Sequence, residues 1–141
     1  MKDLLLRLFR CLLPILGFAL VESCAKDMYG CPYADFQLKG TVTDEEGVPV
    51  EGIKVHVSGV NDDYPNVKEC YTDSKGDYIL KDFDLHFYDY LHLKFEDIDG
   101  PSNGGEFETH ELDVPVEQTE KADGWYEGAF RAGADVKLKR K

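Results

Sequence analysis

The sequence predicts an all-β fold, an antiparallel β-sandwich of about seven short strands behind an N-terminal targeting segment. Apolar and polar residues alternate with a period of two from Phe36 onward, the pattern of half-buried strands. Asp and Gly residues separate these runs at turn-like spacing. No stretch after residue 23 keeps a helical period. We therefore assign 1–23 to targeting, 24–35 to a connecting segment and 36–141 to a single β domain.

The first 23 residues have the composition of a secretory signal. Lys2, Arg7 and Arg10 form a positively charged start, and 11–21 is an apolar run of about eleven residues. Spanning a bilayer takes about 20 apolar residues, so this run is too short. The sequence VESC that follows resembles the lipobox of bacterial lipoproteins. That resemblance implies a lipid anchor on Cys24 and a place in the bacterial cell envelope, in the outer membrane, facing either the periplasm or the surface.

The acidic balance of the chain restricts its partners. The formal net charge is -12, so the chain repels phosphate backbones and nucleic acid is excluded as a partner. The same charge opposes binding to anionic headgroups, so we expect membrane attachment through the lipid alone.

Six runs with alternating or mixed polarity are the predicted strands: 36–43, 53–58, 78–83, 91–96, 112–116 and 136–138. The sequences DEEG at 44–47 and DSKG at 73–76 each begin with Asp and end with Gly, as turns do. We predict that both are hairpin loops.

A family resemblance rests on the residues around these turns, namely Gly40-x-Val42-x-Asp44-x-x-Gly47-x-Pro49-Val50-x-Gly52-Ile53-x-Val55 and Thr72-x-x-x-Gly76-x-Tyr78-x-Leu80. They resemble the carboxypeptidase regulatory-like domain. The resemblance implies a transthyretin-like, Ig-like β-sandwich in which Tyr78 covers one end of the core. Such domains are accessory modules of many proteins, so the fold carries little information about activity.

A second resemblance covers most of the chain. The lipobox-like cysteine, the segment MYGCPYADF and the β domain are similar to small lipoproteins of Bacteroides-type bacteria that are encoded beside a radical SAM enzyme. The signature residues are Met28, Tyr29, Gly30, Pro32 and Phe36. The resemblance implies a radical SAM maturase as a partner.

The segment MYGCPYADF has three interpretations. Its aromatic residues Tyr29, Tyr33 and Phe36, with Met28, could form a strap across the sandwich. Cys31 could also pair with Cys70 in a disulfide, which an oxidising compartment permits. Finally, the segment Met28, Tyr29, Gly30, Cys31, Pro32, Tyr33 and Phe36 could be a recognition or modification site for the radical SAM enzyme.

Motifs for catalysis and metal binding are sparse. The four histidines, His56, His86, His92 and His110, have no metal-ligand spacing, and no serine lies in a nucleophile motif. We therefore predict no enzyme activity, no cofactor and no transition-metal site. The loop DIDGPSNGGEFE offers one candidate calcium site at Asp97, Asp99, Asn103 and Glu106, although its order departs from that of an EF-hand.

Near the C-terminus, Trp125 and Tyr126 lie together in a Gly- and Ala-rich stretch. With Phe130 they could plug an open end of the sandwich, or Trp125 and Tyr126 could form a platform for a glycan or peptide ligand. Three functions follow in order: a membrane-anchored partner or modification target of a radical SAM enzyme, an accessory module that binds glycan or peptide, and a calcium-stabilised structural subunit.

Overall fold

The computed structural model describes residues 31–60 and 67–141, and its compact body is Tyr33–Lys141. The predicted signal peptide, the lipidation site Cys24 and the residues Met28, Tyr29 and Gly30 lie outside the described residues. In the described part, no helix has the length and apolarity needed to cross a bilayer.

The body is all-β, as predicted. Its elements are β1 Tyr33–Thr43, β2 Ile53–Gly59, β3 Lys68–Tyr71, β4 Asp77–Leu80, a 3-10 helix Phe83–Phe87, β5 Tyr90–Asp97, β6 His110–Pro115, β7 Glu117–Glu120, β8 Tyr126–Ala132 and β9 Val136–Lys137.

The strands form two sheets that pack as a sandwich. One has five strands in the order β4-β1-β8-β7, with β9 paired to the far end of β1, and the other has four in the order β3-β2-β5-β6. β1 pairs in parallel with both β8 and β9, so the five-stranded sheet is mixed, although two wholly antiparallel sheets were expected. The four-stranded sheet is antiparallel.

The two Asp-to-Gly motifs form turns, as predicted. The Gly47 amide donates to the Asp44 carbonyl at 3.1 Å, and the Gly76 amide donates to the Asp73 carbonyl at 2.9 Å. The first turn closes a short hairpin, because Thr43 and Pro49 form an antiparallel bridge across it. The longer strands that the two turns connect, β1 with β2 and β3 with β4, lie in different sheets, so both turns also stand at corners of the sandwich.

The core lies between the inward faces of the two sheets. The five-stranded sheet contributes Phe36 and Leu38, and the four-stranded sheet contributes Val55 and Leu93, among others. Tyr78 is buried as predicted, packs edge-on against Phe95 and closes the core near Ala134.

The two described residues of the predicted aromatic strap, Tyr33 and Phe36, are instead part of a central strand. β1 begins at Tyr33, three residues before the expected start of the domain. Phe36 is buried on its inner face, whereas Tyr33 is 57% exposed at its start. Phe36 is thus buried as a residue of the sheet and not of a separate segment, and Tyr33 remains at the surface.

Candidate functional site

The most exposed aromatic cluster with defined contacts lies where β1 and β8 both begin. Asp123 and Tyr126 exchange backbone hydrogen bonds of 2.7 and 3.1 Å, which closes a two-residue turn between β7 and β8. Gly124 has φ +61° at the first central position, where such turns favour glycine. Trp125 occupies the second central position with 61% of its surface exposed. The turn thus fixes the backbone beneath an exposed indole.

Tyr33 and Tyr126 continue this surface. Their rings lie 5.2 Å apart between centroids with an interplanar angle of 40°. The Tyr33 amide also donates to the Trp125 carbonyl at 2.9 Å, which ties the start of β1 to the turn. We call Tyr33, Trp125 and Tyr126 the aromatic tip.

Two carboxylates hold the phenol of the aromatic tip. The Tyr126 hydroxyl lies 3.2 Å from Asp35 Oδ2 and 3.2 Å from Glu120 Oε2. Partial desolvation and these two neighbouring carboxylates raise the pKa of Tyr126 to about 12. The phenol therefore stays protonated at neutral pH as a donor shared between β1 and β7.

A groove on the five-stranded sheet begins at Asp35 and Glu120, the two carboxylates that contact the Tyr126 hydroxyl. It consists of a cleft of about 470 Å³ over β1, β7 and β8, and a second cleft of about 240 Å³ that reaches Lys39 and Glu117. Gln37 and Arg131 line both clefts and are register partners on β1 and β8. We call this feature the outer groove.

Ionic groups line the outer groove. Its cations are Lys39, Lys81 and Arg131, and its anions are Asp35, Asp82, Glu117 and Glu120. The groove is thus nearly balanced in charge, whereas the chain as a whole carries -12. Such a surface offers both hydrogen-bond donors and acceptors to a polar ligand.

A buried histidine supports the base of the aromatic tip. The pairing register shifts between Tyr33 and Ala34, which makes Glu127 the extra residue of a β-bulge in β8. His86 of the 3-10 helix is only 8% exposed, and its Nε2 lies 2.6 Å from Glu127 Oε2. This contact joins the 3-10 helix to the residue that follows Tyr126, and sequence reasoning had assigned His86 no role.

Cys31 and Cys70 are both free thiols, so the proposed disulfide is absent from the structure. Cys70 packs partly buried against the core, and burial raises the pKa of its thiol to about 11. It lies close enough to Tyr78 to influence the pKa of that phenol, and Tyr78 pairs with Gly40.

The candidate calcium ligands divide into two groups. Asn103 donates to Asp99 Oδ2 at 2.5 Å, and the Asp99 amide donates to Asp97 Oδ1 at 3.2 Å. Burial and the adjacent Asp99 carboxyl raise the pKa of Asp97. Glu106 instead bonds Lys141 Nζ at 2.8 Å. Across residues 31–60 and 67–141, no set of three or more His, Cys, Asp or Glu side chains is placed to hold a metal ion.

The outward face of the four-stranded sheet is different in character. His56 and His92 lie at half-exposed positions of β2 and β5 on this face. The two ring nitrogens of His56 lie 3.3 Å from Glu69 Oε1 and 3.1 Å from Glu96 Oε2, and His92 Nδ1 lies 2.7 Å from Asp113 Oδ1. We call this surface the ladder face, because its charged side chains pair from strand to strand.

Comparisons with known proteins identify the fold. No family model matches the chain, and no curated protein matches it. Among solved structures, 3-chlorocatechol 1,2-dioxygenase from Rhodococcus opacus 1CP is similar over 78% of this chain and 65% of its own, with TM-score 0.52 and 11% identity. Catechol 1,2-dioxygenase from Pseudomonas arvilla C-1 is similar over 77% of this chain and 53% of its own, with TM-score 0.53 and 13% identity. Hydroxyquinol 1,2-dioxygenase from Pseudomonas putida DLL-E4 is similar over 77% of this chain and 57% of its own, with TM-score 0.51 and 11% identity.

These likenesses correct the prediction that the chain is not an enzyme. That prediction treated the sandwich as an accessory module, whereas the similar structures are dioxygenases. The chain spans a little over half to about two thirds of their lengths. At such low identity the similarity shows the fold alone, so the chemistry of this chain has to be argued from its own residues.

The structure brings together residues that are far apart in the chain. Trp125 and Tyr126 were predicted as one of two alternatives, but Tyr33 and Arg131 were not connected to them. The plug interpretation is wrong for Trp125, which is exposed, whereas Phe130 does pack against the core. The Asp-Gly pair at 123–124 was the available signal for a hairpin that would have revealed β7 and β8.

Proposed function

We propose that this chain is a lipid-anchored protein of the bacterial envelope whose β-sandwich binds carbohydrate at the aromatic tip and the outer groove. The observation that carries this proposal is Trp125, which is 61% exposed on a closed turn beside Tyr33 and Tyr126. Exposing a large aromatic side chain forgoes the stabilisation that its burial would give. A binding role accounts for that exposure.

The surroundings of the aromatic tip suit a sugar. A pyranose ring has an apolar C–H face, which stacks on aromatic rings, and a rim of hydroxyl groups, which both donate and accept hydrogen bonds. The Asp35 and Glu120 carboxylates accept hydrogen bonds, and Gln37 can do both. Stacking and hydrogen bonding would therefore act on adjacent parts of one ligand.

The tether proposed for the chain would keep this site close to the membrane. Tyr33 lies nine residues after Cys24, which limits the tether to about 30 Å at roughly 3.3 Å per residue. The proposal therefore favours a ligand found at the envelope surface or between its layers.

A glycan array probed with the domain 33–141 of the wild type and of Trp125→Ala tests the proposal. We expect the wild type to bind a subset of oligosaccharides and Trp125→Ala to lose at least roughly ten-fold in affinity, because one stacked ring is removed. Tyr71→Ala is the matched control, since Tyr71 is 52% exposed on the opposite sheet. Binding to no glycan, or equal losses in both variants, would refute the proposal.

A second candidate function is recognition of the segment around Cys31 by a radical SAM enzyme. It is favoured by the exposure of Cys31 and Tyr33, which leaves both side chains open to a modifying enzyme. Intact mass of the protein from cells that contain the enzyme should then differ from that of the unmodified lipidated sequence, with the change localised to 28–36. A mass equal to that of the unmodified lipidated chain would eliminate this candidate.

A further inference from the structure

We infer that one end of the sandwich is a membrane-docking surface, whose aromatic side chains lie among the headgroups of the bilayer that holds the lipid anchor. We call it the tether end, because the chain enters β1 there at Tyr33. The inference rests on the lipid anchor of the proposed function and names the partner of this surface, a bilayer of zwitterionic headgroups. The lipid supplies the attachment, and the aromatic side chains set the orientation of the domain.

Contacts between several elements define the tether end. β8 runs parallel to β1 and begins beside it. The 3-10 helix lies at the same end, because its His86 contacts Glu127, near the start of β8, at 2.6 Å. β3 also begins there, since Lys68 pairs at 3.1 Å with Asp82, which precedes the helix. β5 follows the helix directly and starts at Tyr90. Four strands therefore begin at the tether end.

The tether end holds most of the exposed aromatic side chains of the domain. Among residues 31–60 and 67–141, nine large hydrophobic side chains are exposed. Five of them lie at the tether end, and four of these five are aromatic: Tyr33, Val67, Phe87, Tyr90 and Trp125. The opposite end, at the turn 44–47 and the loop after β5, exposes the aliphatic Val48 and Ile98, and the other two lie on β3 and β4. The exposed aromatic side chains are thus concentrated where the tether joins.

The chemistry of these side chains suits the headgroup layer. Trp and Tyr prefer this layer, because a ring with one polar group fits between hydrocarbon and water. Trp125, Tyr33 and Tyr90 have both parts, and Phe87, which is 66% exposed, adds apolar area. Trp125 lies on the turn between β7 and β8 and Phe87 ends the 3-10 helix. Both can therefore enter the headgroup layer without the opening of a sheet.

The length of the tether decides which end can reach the bilayer. The nine residues from Cys24 to Tyr33 extend to about 30 Å at roughly 3.3 Å per residue. β1 has 11 residues, so its far end lies about 33 Å from Tyr33 at the same rise. A domain standing on its opposite end would need more than the whole tether. The tether end, in contrast, can meet the bilayer with the tether relaxed.

Charge restricts the kind of bilayer. Asp84, Asp89 and Asp123 are exposed at the tether end, and Lys81 and Lys121 offset only part of their charge. Anionic headgroups are therefore repelled, whereas phosphatidylcholine and phosphatidylethanolamine are not. The sugar that the proposed function assigns to the aromatic tip is then a glycolipid headgroup, because the tip lies in the same layer.

The fluorescence of Trp125 tests the inference, because this is the single tryptophan of the chain. The lipidated mature chain, with its acyl group verified by intact mass, is placed in phosphatidylcholine vesicles with and without a nitroxide on the lipid headgroup. We expect the labelled lipid to quench most of the emission, and the emission maximum to lie at shorter wavelength than that of the domain 33–141 in solution. Partial replacement of the lipid by phosphatidylglycerol should reduce the quenching at low salt.

The matched control moves the fluorophore to the opposite end, in the double variant Trp125→Phe, Val48→Trp, because Val48 is 53% exposed there. Its emission should stay unquenched. Phe87→Ser combined with Tyr90→Ser should restore part of the Trp125 emission. Ile79→Ser, at an exposed position of β4, should restore none. Thermal unfolding shows that each variant is folded.

The inference is wrong if, in a chain that carries its acyl group, the headgroup label quenches Trp125 no more than it quenches the Val48→Trp fluorophore. That result would leave the anchor and the glycan site standing. It is also wrong if the domain 33–141 forms dimers in the absence of lipid that Phe87→Ser dissociates, because a second copy would then cover the surface. If the mature chain carries no acyl group, the anchor of the proposed function fails, and the inference fails with it.

Discussion

The two outward faces of the sandwich use charge in opposite ways. On the ladder face, Glu69 contacts both Lys54 and His56, at 2.9 and 3.3 Å, and Glu96 contacts both His56 and Lys94, at 3.1 and 3.9 Å. On the outer groove, the cations have no such partners among the described residues. One face is complementary to itself, and the other has unmatched donors.

The difference shows what strand register contributes to function. Side chains opposite each other on neighbouring strands pair when their charges are opposite. His56 lies opposite Glu69 and contacts it, whereas Arg131 lies between Gln37 and Glu117 and makes an ion pair with no described residue. A facing position of opposite charge thus permits an ion pair without enforcing one.

A substitution beneath both faces should have the largest effect. A Cβ at Gly40 would collide with the Ala134 carbonyl and the Tyr78 ring, so we expect Gly40→Ala to destabilise the domain by about 3 kcal/mol through overpacking. Urea unfolding measures the change. Gly47→Ala is a useful contrast, because no atom lies within 4 Å of the added Cβ and the cost is limited to its positive φ. Equal losses in the two variants would mean that the contact with Tyr78 does not limit stability.

Charge reversal on each face should separate binding from stability. Arg131→Glu should weaken glycan binding by roughly ten-fold and lower the stability by only about 0.5 kcal/mol, because it sets a carboxylate opposite Glu117 but breaks no ion pair among the described residues. Glu69→Lys should leave binding unchanged and cost about 1 kcal/mol, because it sets a third cationic group beside Lys54 and His56.

Both variants need thermal unfolding and glycan titration at low and high salt. The stability loss of Glu69→Lys should shrink as salt screens the repulsion. If Arg131→Glu lowers stability as much as Glu69→Lys does, the two faces do not differ as described.

The smallest effect should appear at alkaline pH. The pKa values of Tyr78 and Tyr126 are both raised to about 12, mainly by desolvation, whereas unfolded tyrosines titrate near 10. Between these values the unfolded chain loses protons that the folded chain keeps, so the two tyrosines should leave the stability unchanged below pH 10 and lower it from pH 10 to about 12. Tyr126→Phe should make this decline shallower in urea titrations across that range. An unchanged slope would show that the Asp35 and Glu120 contacts do not hold the phenol protonated.

The fold class could be predicted because the inward-facing residues follow simple periods. Val55, Leu93 and their neighbours alternate strictly, so β2 and β5 were found nearly to the residue. β7 was missed because all four of its residues are polar and exposed at the edge of the sheet. β8 was missed because the bulge at Glu127 interrupts its alternation.

The candidate site was less accessible to sequence reasoning. Trp125 and Tyr126 are adjacent in the chain, but their contact with Tyr33 depends on a parallel pairing between the first and the eighth strands. Arg131 attracted no attention because its place in the groove, between Gln37 and Glu117, depends on the register of the neighbouring strands. Local patterns predict elements, whereas a site between distant strands requires the topology.

A titration of the nitrogen-15-labelled domain with a glycan that binds on the array, followed by NMR amide shifts, most directly tests whether the outer groove is the binding face. We expect the shifts to concentrate at Asp35, Gln37, Trp125 and Arg131 and to be small at His56 and Lys94 on the ladder face. Shifts centred on the ladder face, or spread evenly over both sheets, would show that the aromatic tip and the outer groove are not the binding site.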